Sequence, residues 1–434
     1  MHLTTWKEVP MSHATITLVI VAVLCVLYII DKLPVSLVTM FGMLAMVFTG
    51  VLSSGDAFSN FGSTPVLLTF GMIVIIDAII DSGAIVQFEH VLQHMTRRGE
   101  KLFLVLVFLS AGIISMFTNN SALVAMFMPF IASTARSSGG KIKKKHLYLP
   151  LAMGGLIGGT GSLAGSTAPL LANEVLEITG QKQFSFFTTA PVSLSILLVV
   201  ALCYWFFLYD LTVKWFDFEE VRDDGKPIAE IPLNKRNAVI SLTVFIASVV
   251  LFIIQPFGWD LGLIAISGAV IVITLGCVDV KTELSNMMWP ALVTLGAALA
   301  IANGFVKSGA GDEVIDFLVN TFGTIMTNPK VLVALFLLAG WLISMFMSNG
   351  SLVSMLASIA VPMAIEYGMD PTPAAIACVI GANLAMATPV ATTTITMVQV
   401  AGYRFKDYFR AGGLVGIIGI VTAWIAIVLI YGLL

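Results

Sequence analysis

The stretch Ile114-Ser-Met-Phe-Thr-Asn-Asn-Ser-Ala-Leu-Val-Ala-Met-Phe127 occurs twice in the chain. Its second copy, Ile343-Ser-Met-Phe-Met-Ser-Asn-Gly-Ser-Leu-Val-Ser-Met-Leu356, matches it without a gap at 8 of 14 positions. Apolar-rich composition alone gives roughly one or two such matches, so the chain is an internal duplication. In each copy an apolar helix arrives and a second leaves, with a short polar break between them, Asn119-Asn120-Ser121 or Ser348-Asn349-Gly350. Broken polar backbone at membrane depth is tolerated only where it is buried in protein or lines a water-filled cavity. The two breaks are therefore expected to be the tips of re-entrant hairpins that meet at a binding site.

Membrane depth follows from composition. Over 434 residues, 58% are hydrophobic and 11% charged, with a formal net charge of −3. That excludes a soluble globular domain and gives an all-α polytopic membrane protein surrounded by lipid. Nothing in the charge pattern points to nucleic acid. Cys25, Cys203, Cys277 and Cys378 lie far apart in apolar runs, which is packing and not a disulfide or metal framework. The first residues lack the basic start and small-residue cleavage site of a leader, so the first apolar run reads as a retained span.

Apolar runs of spanning length, about 17 to 25 residues, fall at 14–30, 35–53 and 64–81. An amphipathic segment follows at 84–97, with Ile85, Phe88, Val91, Leu92 and Met95 on one face, the pattern of a helix lying in the interface. Then come the first hairpin (101–136), a basic loop (141–145), a span over 147–178 broken by glycines, and a span at 189–209. A charged linker, 210–237, separates this from a second series. That series has spans at 238–256, 259–278 and 288–306, an amphipathic piece at 311–321 and a hairpin at 331–366. A span over 373–402, interrupted at 388–394, and a last span at 411–433 complete it. Pro65-Val-Leu-Leu-Thr-Phe-Gly71 against Pro290-Ala-Leu-Val-Thr-Leu-Gly296, and Ser82-Gly-Ala84 against Ser308-Gly-Ala310, hold the register. The repeats are thus 14–209 and 238–433, each with early spans (14–81, 238–306) and a later part carrying hairpin and broken span (101–209, 331–433).

If each hairpin returns to the side it entered from, each half crosses five times. An odd number inverts the second half relative to the first, the architecture of alternating-access secondary transporters. Of the 22 Lys and Arg, this topology puts 18 on one side and only Lys7, Lys182, Lys307 and Lys330 on the other. The basic side is cytoplasmic, so both termini are expected outside, in the plasma or inner membrane of a cell.

Broken helices offer free N–H groups and positive half-dipoles to anions, while freed carbonyls can coordinate Na⁺. Asn, Ser and Thr add donors for a carboxylate and oxygens for a hard cation. No Lys or Arg lies in any of the four breaks. An anionic substrate would then rely on dipoles, hydroxyls and co-bound cations, and cation coupling follows. The competing reading is that these side chains only hydrogen-bond neighbouring helices and the glycines only permit close packing. Gly158, Gly159 and Gly161 are assigned to that packing role.

Asn119-Asn120-Ser121 with Ala122, and Ser348-Asn349-Gly350 with Ser351, resemble the paired Ser-Asn-Thr hairpin motifs of the divalent-anion/sodium symporter family, solute carrier family 13 and its bacterial relatives. Ile157-Gly-Gly-Thr-Gly-Ser-Leu-Ala-Gly-Ser166 is similar to that family's first broken loop and Gly381-Ala-Asn-Leu-Ala-Met-Ala-Thr-Pro-Val-Ala-Thr392 to its second, while Gly402-Tyr-Arg-Phe-Lys-Asp407 resembles its ending. The resemblance implies a homodimer working by an elevator mechanism, with the early spans as scaffold and the later parts mobile. By motif position it implies Na⁺ at Ser115, Asn119, Asn120 and Gly165, and again at Ser348, Asn349 and Ala391. It implies substrate carboxylates at Asn120, Ser121, Ser166, Asn349, Gly350 and Thr392. The chain departs from the motif at Asn119 and Gly350, each removing a hydroxyl. It also carries Thr167-Ala168-Pro169 and Thr393-Thr394-Ile395 where the family has Pro-Pro-Asn.

Asp77 stands apart, inside the third span, where an ionisable residue is by default a functional candidate. It is either a proton-coupling residue or a water-facing rim residue beside Asp81. Asn173 and Glu174 are expected at the outer rim, and His90 and His94 solvated on the amphipathic segment. The function expected is Na⁺-coupled uptake of a small anion, a di- or tricarboxylate. The rivals are a cation/proton antiporter or oxyanion exporter of the same superfamily, and an electroneutral carboxylate exchanger. An intramembrane enzyme is not expected, since no His-Glu-x-x-His, paired membrane aspartates or Gly-x-Ser-x-Gly elbow occurs.

Overall fold

The computed structural model describes residues 12–30, 32–84, 99–138, 140–218, 232–287, 289–311, 313, 327–345, 349–388 and 392–433. All regular structure among them is helical. The first half runs α1 (His13–Ile30), α2 (Val35–Phe48), a short elbow α3 (Ser54–Ser59) and α4 (Thr64–Asp81). The hairpin α5 (Glu100–Ser115) and α6 (Asn120–Ser137) follows, then α7 (Lys144–Gly158) and α8 (Thr167–Ile178) on either side of the first broken loop, and α9 (Ala190–Trp215). The second half repeats that order. It consists of α10 (Lys235–Ile254), α11 (Leu261–Thr274), the elbow α12 (Val280–Asn286), α13 (Trp289–Lys307), the hairpin α14 (Pro329–Ser344) and α15 (Asn349–Glu366), the broken pair α16 (Thr372–Asn383) and α17 (Thr393–Met397), and α18 (Phe405–Ile430).

Packing repeats with the order. Helix α2 packs on α13 and α4 on α11, one pairing with the halves exchanged, while α5 packs on α7 and α14 on α16. Across the halves, α15 meets α8, α6 meets α17, and the two last helices, α9 and α18, pack on each other. Close approach within each hairpin-and-broken-helix unit rests on glycine. A Cβ on Gly154 would lie 2.4 Å from Phe108 O, and one on Gly381 2.5 Å from Leu337 O, so backbone meets backbone at α5–α7 and α14–α16 alike.

Six helices are long and apolar enough to cross a membrane: Ser54–Asp81, Ala190–Trp215, Lys235–Ile254, Trp289–Lys307, Asn349–Glu366 and Phe405–Ile430. Large apolar side chains, among them Phe48, Phe206, Ile254 and Leu429, stand outward, as a lipid-facing surface requires. The apolar runs 35–53 and 259–278, expected as full spans, close instead as helices of 14 residues, about 21 Å long against a hydrocarbon core of about 30 Å. The cause is turn chemistry that hydropathy does not register. Gly50 (φ 78°) and Gly276 (φ 71°) take the left-handed conformation that ends a helix. Three residues on, Ser53 Oγ accepts from Asp56 N at 3.0 Å, and Asp279 Oδ2 accepts from Thr282 N at 2.9 Å, opening the elbows α3 and α12. Helix α9 runs past the end of its apolar run to Trp215, and like α18 it contains a five-residue π stretch, Tyr204–Leu208 in one and Tyr408–Gly412 in the other. The amphipathic segments expected at 84–97 and 311–321 lie almost entirely outside the described residues, as do His90 and His94 and the middle of the linker.

Candidate functional site

Each hairpin turns on one serine and one asparagine. Ser115 is the last residue of α5 and Asn120 the first of α6; the Ser115 hydroxyl donates to Asn120 Oδ1 at 2.6 Å, buried. In the second tip, Ser344 and Asn349 hold the same places, and Ser344 Oγ donates to Asn349 Oδ1, again at 2.6 Å. Asn119 caps α6, its Oδ1 accepting from Ser121 N at 2.9 Å and Ala122 N at 3.3 Å. A side-chain acceptor satisfying free helical N–H groups is what lets the chain turn so sharply.

The broken loops close onto these tips in matching fashion. Ser162 Oγ donates to Met116 O, and Thr388 Oγ1 donates to Met345 O at 2.8 Å. A Cβ on Gly159 would lie 2.1 Å from Asn120 Oδ1, and one on Gly165 would lie 2.5 Å from Ser115 O and 2.6 Å from Gly159 O. Two backbone carbonyls and the tip amide therefore converge around glycines that only a missing side chain allows to come so close. Gly158 keeps the packing role expected of it, against Gly112 O, whereas Gly159 faces the tip amide.

The halves also join each other here. The Ser121 and Thr394 hydroxyls hydrogen-bond at 3.0 Å, linking the first tip to the second broken span. A Cβ on Gly350 would lie 3.0 Å from Thr167 Oγ1, so the second tip seats on the first broken span. Beside Thr167, Ser166 carries a buried hydroxyl with no hydrogen-bond partner among the described residues. Thr392 caps α17 by accepting from Ile395 N at 3.2 Å. All four breaks thus meet in one place, presenting the N-termini of α6, α8 and α15 and a set of neutral oxygens and amides. Ser348 and Ala391 lie outside the described residues.

The tips are not equivalent. Asn349 Nδ2 donates to Asn383 Oδ1 at 3.1 Å, and Asn383, 2% exposed, donates in turn to Val379 O at 2.9 Å. Asn120 Nδ2 has no partner among the described residues. Residue-by-residue reading of the sequence missed Asn383, Thr394, Ser162 and Thr388. The last two stand at matching positions of the two broken loops, so aligning the halves through the loops would have found them. Asn383 leaves only the weaker signal of a lone amide in an apolar run.

The base of the first hairpin is fixed by a buried polar cluster. Glu100 Oε1 accepts from Lys143 N at 2.6 Å; Oε2 pairs with His146 Nδ1 at 3.1 Å and accepts from Tyr209 OH at 2.8 Å. Burial acts to raise the Glu100 carboxyl, but His146, Lys143 N–H and Tyr209 outweigh it and hold it below the ordinary value. Asn173, expected at the rim, is 8% exposed and accepts from Phe184 N, stapling the segment after α8. Asp77, on α4, faces Glu283 of the elbow α12.

Comparison with known proteins agrees with this architecture. A family model described as "Citrate transporter" matches residues 25–326 and 249–434. An uncharacterised transporter of Haemophilus influenzae is 24% identical over 420 residues, covering 93% of this chain and 89% of its own. One of Methanocaldococcus jannaschii is 25% identical over 321 residues, 72% of this chain and 70% of its own. Mouse solute carrier family 13 member 2 is 30% identical over 148 residues, 34% of this chain and 25% of that protein. Among solved structures, the YdaH transporter of Alcanivorax borkumensis superposes with a TM-score of 0.67 at 14% identity, covering 97% of this chain and 98% of its own. With helix order, the meeting of four breaks and a family match over nearly the whole chain in agreement, this protein belongs to the citrate transporter family and is a membrane transporter, not an enzyme.

Proposed function

We propose that the chain moves small anions, di- or tricarboxylates foremost, driven by a Na⁺ gradient and by an elevator movement of the hairpin-bearing parts against the early spans. The observation that carries this is the doubled Ser–Asn bond, Ser115 to Asn120 and Ser344 to Asn349, each at 2.6 Å and each set against a broken loop. In both, the serine hydroxyl aims at the asparagine oxygen. The remaining lone pair of that oxygen is available to a hard cation together with main-chain carbonyls. At the first tip the carbonyls are those of Ser115 and Gly159, closing on Gly165. At the second, motif position assigns Ser348, Asn349 and Ala391 to the corresponding set. A substrate carboxylate would lie between the tips. There Asn120 Nδ2, the Ser121 and Ser166 hydroxyls, Thr392 and the free N–H groups around Asn349 and Gly350 donate, and bound Na⁺ offsets its charge. Small molecules thus find a polar site with no fixed positive side chain, which makes anion binding depend on the cation.

The same reading places two copies in a dimer in the plasma or inner membrane, with basic loops in the cytoplasm and both termini outside. The test is thermal stability of the purified full-length protein against carboxylates, sulfate and phosphate, with either Na⁺ or choline as cation. A native-state ligand at a hundredfold excess over Kd stabilises by about 2.7 kcal/mol. A carboxylate shift that requires Na⁺ is expected. A carboxylate shift equal in choline would overturn Na⁺ coupling, and a Na⁺ response unaffected by any anion would overturn symport.

A further inference from the structure

Outside the tips, the carboxyls of Asp77 on α4 and Glu283 on α12 lie within hydrogen-bond reach of each other, with Asp81 one turn further along α4. Ionised carboxylates only accept hydrogen bonds; a bond between two carboxyls needs a proton on one of them. Glu283 is 6% exposed and its Oε1 is buried without a hydrogen-bond donor among the described residues. The charges acting on the pair are its own two and that of Asp81. No group of three or more Asp, Glu, His or Cys able to hold a metal occurs among the described residues, which points away from a metal and toward a proton.

The duplication supplies an internal control. In the other half, Asn303 stands where Asp77 does and donates from Nδ2 to Asn60 Oδ1, beside the elbow α3, at 2.9 Å. Lys307, in the place of Asp81, bridges Asp56 at 3.2 Å. One elbow is therefore closed by a neutral amide bond and a compensated ion pair, and the other by carboxyls alone. The packed elements do not supply a base to the pair. Arg236 at the start of α10 is turned to Leu275 O at 3.2 Å, and Asp279 is spent on capping α12. Lys235 and Lys281 are exposed, α11 carries no charged residue, Lys307 of α13 is at the other elbow, and α8 brings only Glu174 and Glu177.

We propose that Asp77 and Glu283 share a single proton, forming a proton-binding site between α4 and α12 that is separate from the hairpin tips. Burial, reinforced by Asp77 and Asp81, pushes the Glu283 carboxyl up to about 7. The folded protein then holds a proton that the unfolded chain releases above its ordinary value, so the stabilisation is full at low pH and is lost as pH rises through neutrality. Below that range the proton joins α4 to α12; above it two like charges face each other.

The test is thermal unfolding of the full-length protein from pH 5 to 8.5, for wild type, Glu283→Gln, Asp77→Asn and the double variant. Wild type is expected to lose several degrees across this range. Glu283→Gln, whose amide donates to Asp77 at every pH, should match wild type at pH 5 and exceed it at pH 8.5. A wild-type profile that is flat, or variant profiles parallel to it, overturns the proposal. Should Glu283→Gln fail to fold, Asp77→Asn carries the same comparison. A protonated-carboxyl infrared band that titrates near neutrality in wild type and is missing from both single variants is expected independently. Its absence from wild type refutes the shared proton whatever ion drives transport.

Discussion

Replacing Gly159 by alanine tests the proposed cation site with a single methyl group. The added Cβ would fall 2.1 Å from Asn120 Oδ1 and 2.9 Å from its Nδ2. Carbon and oxygen ordinarily approach to about 3.3 Å, so the amide must withdraw by roughly 1.2 Å. A shift of that size breaks the 2.6 Å bond from Ser115. The lost bond is worth about 1 kcal/mol and the overpacking about 1–3 kcal/mol. If Asn120 Oδ1 is a cation ligand, even half of that sum lowers apparent Na⁺ affinity by about tenfold, since each 1.4 kcal/mol is a factor of ten. Gly155, one turn earlier on α7, is the control. A Cβ there meets Leu123 Cδ2 at 3.5 Å and Ser115 Oγ at 3.8 Å, ordinary contact. The assay is a Na⁺ titration in choline at saturating anion, read by thermal shift for wild type, Gly159→Ala and Gly155→Ala. Gly155→Ala should follow wild type. A Gly159→Ala protein that folds and keeps the wild-type midpoint would refute the assignment of the first tip to a cation.

Asn120→Ala should abolish anion uptake while leaving the folded protein in the membrane, because Asn120 holds the free amide donor at the tips; wild-type uptake in reconstituted vesicles would remove the tips from the site. Asn383→Ala frees Asn349 Nδ2 and should raise the Na⁺ midpoint of the same titration several-fold with little loss of thermal stability; an unchanged midpoint would reduce Asn383 to packing. Glu100→Gln should destabilise the protein by about 1–3 kcal/mol at pH 7 by weakening a charged hydrogen-bonded cluster. Its folded carboxyl is held low, so that contribution is present above about pH 4.5 and fades as pH falls through the folded value. Unfolding curves of variant and wild type should therefore converge in acid, and a constant gap would contradict the ion pair.

The duplication, the hairpins and the residues of the candidate site are legible in the sequence because each leaves a pattern on neighbouring residues. Ser115, Asn120, Ser344 and Asn349 sit in the repeated stretch itself, and hydrophobic length marks the runs on either side. The elbows α3 and α12 escape that reading because they are set by Gly50 and Gly276 φ angles and by two N-caps, while the runs around them stay apolar. Ser82-Gly-Ala84 and Ser308-Gly-Ala310 show how far local chemistry follows the repeat. In each, the serine hydroxyl accepts from the alanine N–H at 3.3 Å, and the glycine is left-handed, at φ 74° and 75°. What stays hidden is pairing between distant segments. Neither Ser121 with Thr394 nor Asp77 with Glu283 has any sequence proximity to betray it, and only the fold brings them together.

The duplication also explains why the two halves need not do the same work. Gene-level repetition supplies two tips with the same Ser–Asn bond, so both begin with the same capacity to offer an asparagine oxygen. The difference lies in the other end of each amide. Asn349 spends one of its two Nδ2 hydrogens on Asn383, which fixes its oxygen toward Ser344 and leaves a single amide N–H for an anion. Asn120 keeps its Nδ2, next to a Ser121 hydroxyl that the second half reaches through Thr394. Gly350 at the second tip has no side chain where Ser121 at the first has a hydroxyl, and this removes a second donor from the same side. On the proposed reading, both differences would favour the anion at the first tip and leave the second better suited to a cation. A transporter built this way would tolerate loss of side-chain donors at the second tip better than at the first. Asn349→Asp, which keeps the oxygen and discards the donor, should therefore retain Na⁺-dependent binding where Asn120→Asp, placing a negative charge beside the anion, should not. Equal loss in both variants, measured by the same Na⁺ titration, would mean that the anion uses the tips symmetrically after all.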